Sequence, residues 1–502
     1  MQNYERLLQE LKKLHEPRQP QLDSIKFISD NWENSRVLCI NAPVGTGKSD
    51  VALAIQRTFG AAVILTPDNN LVNQYVSAAP ELNALKGRGS YSCNNHETGN
   101  SCADSFNEYK IYCDDCPYVK ARIRAELNED TVANPMSYFY GIKNNVFSHA
   151  KVLIVDEAHT LASFLREKMV AKVPYLNGPW RPTDVITAES VISFLTGVKS
   201  KLSNLVRLKE KNGTQCKREL GLLTNISFTL WAMSMDSSHW FFYLEPKKGK
   251  EPPKLVIESL KIPQGVLDIF LQSEKIVLMS GTLFPHHITD LIGSIPYKYL
   301  SLGSIIPPTS RTVIVRPCAD TVNKDTPAET YAAKIMEIVN ENKGKQGIIH
   351  ASYGLADKLR ALLERPESSI RGHGKDSKAD VLGQFKRKEF QWLIASGMAE
   401  GVDLAGDLGE INIICKLMYP YMGDPYVQKR MNLRDGQLWF AATTLQYILQ
   451  ACGRTTRGPN DFSKVFVLDG SLRRCLEKIK QLAGSKANQY IPAYFEESLY
   501  YV

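Results

Sequence analysis

"RVLCINAPVGTGKSDVALAIQRTFG", residues 36 to 60, decides the fold. An apolar, β-rich run (36–41) passes directly into a glycine loop, and the loop into the helix-like stretch DVALAIQRTFG. In a strand–loop–helix unit of this kind, backbone N–H groups and the positive end of a helix face one anion together. Gly45 and Gly47 flank Thr46 and let the backbone turn toward phosphate oxygens where a Cβ would obstruct. Lys48 would reach the β and γ phosphates of a nucleotide, and the Ser49 hydroxyl would hold Mg²⁺. Ala42 stands where this pattern usually opens with glycine. The competing reading, a chance glycine-rich turn, has the strand and the helix against it.

Further short apolar runs lie on either side of helical stretches. AAVILT (61–66), KVLIVD (151–156) and KIVLMS (275–280) continue the first series. RTVIV (311–315), QGIIHAS (346–352), WLIAS (392–396), INIICK (411–416) and KVFVLD (464–469) form a second. Continuous apolar strands alternating with helices indicate parallel sheets covered on both faces, and two series indicate two sheets in tandem. The first series is interrupted twice, by a cysteine-rich piece and by a longer, mainly helical piece that ends near EPKKGKEPPK.

VDEAH (155–159) closes the strand KVLIVD, which puts Asp156 and Glu157 at the carboxyl end where open α/β sheets carry their ligand chemistry. Asp156 suits Mg²⁺ coordination, direct or through water, and Glu157 suits polarising an attacking water. A solvated acidic strand end is the bland alternative. In QACGRTTRG (450–458), Gln450, Arg454 and Arg457 fall on one face of a helix, so two guanidiniums can converge on charge developing at a transferring phosphoryl group; a solvated basic face competes with that reading.

Four of the ten cysteines, Cys93, Cys102, Cys113 and Cys116, crowd into C-x8-C-x10-C-x2-C. Four soft thiolates select zinc or an iron–sulfur cluster, and the single close pair favours iron, since zinc sites more often use two. His96 lies in the same segment and reads as a polar surface residue. The other six cysteines are scattered, mostly in apolar runs, as buried thiols in a reducing compartment would be, so a disulfide framework is not expected.

Composition sets the outer limits. At 502 residues, with 43% apolar and 23% charged side chains, the chain is long enough for several cores and is not of disordered composition. Its net charge of +8 suits a polyanionic partner without requiring one. The amphipathic N-terminus has no signal-peptide core and no run reaches membrane-span length, so a soluble, intracellular protein is expected, cytoplasmic if bacterial or phage. No solenoid-period repeat is present.

The ordered set APVGTGKS, VDEAH, SGTL (280–283), GMAEGVDLAGD (397–407) and QACGRTTR resembles the superfamily 2 helicases with two RecA-like domains, and within them the XPD/DinG group, whose members carry an iron–sulfur insertion. RQPQ (18–21) is similar to the segment before the phosphate loop in which a glutamine, here Gln21, reads adenine; ANPMSYFY (133–140) resembles the Asn-Pro element before the DEAH strand. The resemblance covers nearly the entire chain. It implies α/β architecture with two tandem RecA-like parallel-sheet domains. Domain 1 would comprise 1–84, 131–161 and 263–290, interrupted by a 4Fe-4S insertion at 85–130 and an arch-like helical insertion at 162–262; domain 2 would span 291–502. Gly401 and Asp403 would join the nucleotide site.

The activity so implied is ATP-dependent, Mg²⁺-requiring translocation on single-stranded DNA with unwinding of duplex at tails or forks, 5′ to 3′, by a monomer. A nucleic-acid-stimulated ATPase without productive unwinding, and a zinc-stabilised non-motor DNA-binding protein, remain as alternatives. Without a further N-terminal nuclease-like domain, exonuclease activity is not expected. Backbone phosphates should dominate strand binding, with stacking in support. Lys110, Lys120, Arg122 and Arg124, interleaved with Tyr109, Tyr112 and Tyr118, fit that pattern, as do Asn134 and the basic stretch from Lys199 to Arg218; for any single lysine a solvated surface is the simpler reading.

Overall fold

The structure is a computed structural model. It describes residues 2–502 apart from 95–100, 104–114, 128–129, 149, 176–185, 213, 215, 320–324, 366–367, 375–376, 398–405, 454, 457 and 459–460. Cys113, Tyr109, Lys110, Tyr112, His96, Gly401, Asp403, Arg454 and Arg457 therefore lie outside the described residues.

In chain order the strands are β1 (Val37–Asn41), β2 (Ala62–Leu65), β3 (Asn83–Leu85), β4 (Thr131–Ala133), β5 (Val152–Val155), β6 (Ala171–Pro174), β7 (Trp240–Glu245), β8 (Lys254–Ser259), β9 (Lys275–Ser280), β10 (Tyr297–Ser301), β11 (Arg311–Ala319), β12 (Gly347–His350), β13 (Ile370–Gly372), β14 (Trp392–Ala395), β15 (Ile411–Ile414), β16 (Ser463–Asp469) and β17 (Leu499–Tyr501). They build a seven-stranded sheet in the order β10-β1-β9-β5-β2-β4-β3, a second in the order β13-β14-β12-β15-β16-β11-β17, and a three-stranded sheet β6-β8-β7. The two large sheets are the expected pair of parallel RecA-like sheets. In the first, β2 runs parallel to β4 and β5, and β5 to β9. In the second, every described pairing is parallel, including β12 with β14 and β15 and β11 with β16 and β17.

The reason is legible in the side chains. β1, β2 and β5 are buried along their whole length, as strands covered by helices on both faces must be, so the apolar runs are continuous rather than alternating. The long insertion is indeed mainly helical, with Ala188–Lys211 and Lys217–Met235, but it also contains the antiparallel sheet β6-β8-β7, which the sequence reading did not anticipate. Its Leu195, Ile226, Met233 and Leu255 join the apolar cluster that holds Leu153 and Leu278 of the first sheet. The insertion thus shares the core of the sheet it interrupts.

Two compact units result: Met1–Pro17, Ser24–Ile40 and Ser49–Leu300 in one, and Arg18–Asp23, Asn41–Lys48 and Ser301–Val502 in the other. The helix Gln2–Lys12 belongs to the first and buries Leu7 and Leu11 completely, as its amphipathic pattern requires. Among the described residues no helix is long and apolar enough to cross a membrane.

Candidate functional site

The loop after β1 has the backbone its glycines predict. Gly45 and Gly47 adopt φ of 85° and 81°, a left-handed conformation costly to any residue with a Cβ, and the helix Lys48–Phe59 begins directly after them. The Thr46 hydroxyl donates to the Pro43 carbonyl (2.7 Å) and Lys48 Nζ to the Ala42 carbonyl (3.0 Å), so the loop is held by its own side chains. Arg18 donates to Gly45 O (2.6 Å). Gln21 is fully buried, accepts from the Arg18 N–H (2.9 Å) and reaches Gly47 O at 3.4 Å, which attaches the RQPQ segment to the phosphate loop. A glycine loop, a cation and a helix N-terminus in sequence are a combination that can receive a polyphosphate anion.

At the carboxyl end of β5, Asp156 is buried, with its Oδ1 accepting the Glu157 N–H and its Oδ2 accepting the Tyr75 hydroxyl, both at 2.9 Å. Two donors fix the plane of the carboxylate. Glu157 itself has φ 51° and ψ 44°, a left-handed conformation that a non-glycine residue adopts at a cost and that clusters at functional sites. Its Oε2 accepts the Ser280 hydroxyl (3.2 Å) from the end of β9. Ser280 Oγ also lies 2.7 Å from His159 Nδ1, and Thr282 N–H donates to it (3.1 Å). His159 Nδ1 also lies 3.3 Å from Glu157 Oε2, so a proton on that nitrogen would be shared between the serine oxygen and the carboxylate. DEAH and SGTL thereby form one hydrogen-bonded unit that orients a carboxylate.

Tyr75 is the residue that sequence reasoning missed. It lies on Asn69–Ala78, a helix capped by Asp68, whose carboxylate accepts Asn70 N–H (2.7 Å) and Leu71 N–H (3.0 Å). That cap sets the register in which Val72 and Tyr75 turn inward. Burial first, and the Asp156 charge second, hold the Tyr75 phenol well above its ordinary pKa, so it remains a donor.

The cysteine segment is closed by an antiparallel bridge between Ser92 and Ser101. Cys93, Cys102 and Cys116 are all buried, and the Cys102 and Cys116 sulfurs lie 3.6 Å apart. Burial and the neighbouring Cys116 thiol push Cys102 up to about 11. Buried thiols converging in a loop-rich insertion fit a soft metal chemically. Among the described residues, however, no group of three side chains is arranged to hold a metal ion, and Cys113 lies outside them.

The expected strand-contacting residues are placed as follows. Arg88 packs over the Tyr118 ring at 4.6 Å, with Tyr91 edge-on to it. Lys120 pairs with Asp115 and Arg122 with Glu126, both near the surface. Asn134 caps the helix Pro135–Lys143, its Oδ1 accepting the Ser137 N–H, while its amide donates to Asn69 (both 2.9 Å). Gln450 lies half-buried on the last turn of Gly436–Cys452.

Comparison with known proteins agrees with this geometry. Residues 18–187 match the DEAD/DEAH box helicase family and residues 335–483 the helicase C-terminal domain. The chain thus carries a DEAD/DEAH box helicase domain followed by a helicase C-terminal domain. It is 30% identical over 203 residues to the ATP-dependent DNA helicase YoaA of Escherichia coli, a match covering 37% of this chain and 31% of that protein. It is also 30% identical over 152 residues to the YoaA of Haemophilus influenzae, covering 28% and 23%. The matched stretches thus span less than a third of these curated relatives. Among solved structures, one named XPD_Helicase superposes with a TM-score of 0.64 at 18% identity, covering 97% of this chain and all of that one. S. tokodaii Xpd4 does so at 0.56 and 15%, covering 97% and 100%. These likenesses show the fold alone; the helicase assignment of residues 18–187 and 335–483 rests on the matched domains.

Proposed function

We propose that this chain is an ATP-dependent DNA helicase that moves along single-stranded DNA, 5′ to 3′, and separates duplex ahead of it. The observation that carries the proposal is the hydrogen-bonded unit of Asp156, Glu157, His159 and Ser280 at the ends of the neighbouring strands β5 and β9. In this reading Gly45, Thr46, Gly47 and Lys48 hold the phosphates, and Gln21 recognises adenine. Glu157 accepts a proton from the attacking water while Ser280 fixes its direction. Mg²⁺, when bound by Ser49 and Asp156, supplies neutralisation of phosphate charge. Gln450, Arg454 and Arg457, with Gly401 and Asp403, are assigned to the nucleotide on their motifs, the two arginines to charge on the γ-phosphoryl.

Because Ser280 only orients, Ser280→Ala is expected to lower kcat by about tenfold, the lower end of what correct positioning contributes, while ATP affinity stays within about twofold. Steady-state hydrolysis and equilibrium nucleotide binding check the split. Ser280→Ala with unchanged kcat would mean that Glu157 needs no such anchor.

The proposal further assigns Cys93, Cys102, Cys113 and Cys116 to a 4Fe-4S cluster that braces the loop-rich insertion in place of an apolar core. Zinc is the second reading. It is favoured by the 3.6 Å between Cys102 and Cys116, since two thiolates on one tetrahedral zinc lie about 3.8 Å apart. Protein purified without oxygen is expected to be brown and to contain iron and sulfide, with Cys116→Ser colourless and depleted in unwinding more than in nucleotide binding. A colourless wild-type protein with stoichiometric zinc replaces the cluster by zinc. Tyr118, Lys120, Arg122, Asn134 and the stretch from Lys199 to Arg218, together with Lys110 and Tyr112, are proposed strand contacts. A strand-displacement assay run beside a DNA-stimulated ATPase assay tests the whole. Hydrolysis without displaced strand would leave a translocase or ATPase, and neither activity would leave a binding protein.

A further inference from the structure

We propose that Asn412 and Ser463 are positioning residues for the two arginines of QACGRTTR: from adjacent strands they seat the turn that follows the helix Gly436–Cys452, and so set where Arg454 and Arg457 stand. The inference rests on the assignment of those arginines to the γ-phosphoryl made above, and it concerns two residues that the motif readings leave out.

Asn412 is the second residue of β15, a strand whose four residues are all buried. Its side chain is fully buried, and its Nδ2 donates to the Ala451 carbonyl at 2.9 Å, 39 residues away in sequence. Among the described residues its Oδ1 has no partner. A buried amide satisfied on one side only adds little net stability, whereas the bond it does make has a fixed direction. The neighbouring strand β16 supplies a second tie. Ser463 Oγ lies 3.1 Å from the Thr455 hydroxyl, which is itself 3.4 Å from the Cys452 carbonyl, and Ser463 and Thr455 are both fully buried. Ala451 and Thr455 are therefore held on either side of Gly453. A Cβ on Gly453 would meet Val44 Cγ2 at 3.2 Å, so the turn packs closely on a residue of the phosphate loop, within the same compact unit. Arg454 follows Gly453 directly, and Arg457 comes two residues after Thr455. A guanidinium that stabilises charge growing in a transition state works only from the right distance, and a displacement of about 1 Å can cost about 10²-fold.

Asn412→Leu keeps the bulk and removes the donor. Single-turnover ATP hydrolysis and equilibrium ATP binding, measured in the otherwise native chain and in one carrying Arg454→Ala and Arg457→Ala, separate the alternatives. In the native background the hydrolysis rate is expected to fall about tenfold, with ATP affinity within about twofold of wild type. In the background without the arginines the same change is expected to cost less than about twofold, since residues that act through one another are not additive. Ser463→Ala is a smaller change that carries the test should Asn412→Leu not fold, and the same pattern is expected from it with about a threefold loss. Ile413→Val on the same strand is the packing control, expected to lower Tm while hydrolysis stays within about twofold of wild type. Unchanged hydrolysis in Asn412→Leu and Ser463→Ala, an equal loss in both backgrounds, or an equal loss in Ile413→Val would each reduce the two residues to packing and overturn the proposal. Full hydrolysis by the chain lacking both arginines would instead contradict their assignment, the reading on which the inference rests.

Discussion

Lys48→Ala is expected to lower ATP hydrolysis by about 10³-fold, equivalent to about 4 kcal/mol of transition-state stabilisation. The size follows from position. The ammonium stands at the start of a helix and at the end of a loop whose two glycines have φ of 85° and 81°, so it adds a full charge to donors supplied by the backbone. Its 3.0 Å bond to Ala42 O shows that the side chain can lie back over the loop, where phosphate oxygens would compete for it. Alanine leaves the backbone donors and the helix end, which bind an anion without adapting to charge that grows during reaction. Both ground-state affinity and kcat should fall, kcat more steeply. Hydrolysis within threefold of wild type would remove the loop from the site.

Glu157→Gln should behave differently. The replacement keeps size and one acceptor oxygen but cannot take a proton, and the Ser280 hydroxyl can still donate to it. ATP binding is expected within about threefold of wild type, while turnover drops by about 10²- to 10⁴-fold, the usual share of a general base. The left-handed backbone at Glu157, with φ 51°, is of the kind that clusters at functional sites, and the glutamine variant tests whether it serves one here. Filter binding of ATP in parallel with single-turnover hydrolysis reads both quantities. A variant that hydrolyses normally would transfer the base role to another residue.

Much of this was legible in the sequence because the strands are buried on both faces. RVLCIN, AAVILT, KVLIVD and KIVLMS became β1, β2, β5 and β9 within a residue or two at their ends, and the five runs of the second series became β11, β12, β14, β15 and β16. Trp240–Glu245 and Lys254–Ser259, six residues each, escaped inside the insertion read as mainly helical, and other runs that escaped are short or amphipathic. Asn83–Leu85, Thr131–Ala133 and Ile370–Gly372 have three residues each, too few for any period to show. Ala171–Pro174 alternates buried and exposed, so AKVP reads as loop until β8 is beside it. β11 extends past the apolar RTVIV to Ala319 because β16 pairs with it across an irregularity between Val315 and Ala319.

The site divides in the same way. Gly45, Gly47, Lys48, Ser49, Asp156 and Glu157 were readable because backbone freedom, a cation and paired acids at a strand end are properties of adjacent residues. Tyr75 was not, since a tyrosine on an amphipathic helix looks like core and its partners are distant in sequence. The one available signal was the helix register, set by the Asp68 cap, which turns Tyr75 to the same side as Val72. The Ser280–His159 contact was hidden for a similar reason: SGTL and VDEAH were each visible, but only the adjacency of β5 and β9 joins them.

Displacement of a labelled strand from duplex DNA carrying a 5′ or a 3′ single-stranded tail, with ATP and Mg²⁺, tests the central claim most directly. The expected result is displacement from the 5′-tailed substrate, its loss with ADP or with Glu157→Gln, and little from the 3′-tailed one. No displacement from either substrate by a protein whose ATP hydrolysis is stimulated by DNA would contradict the assignment as a helicase.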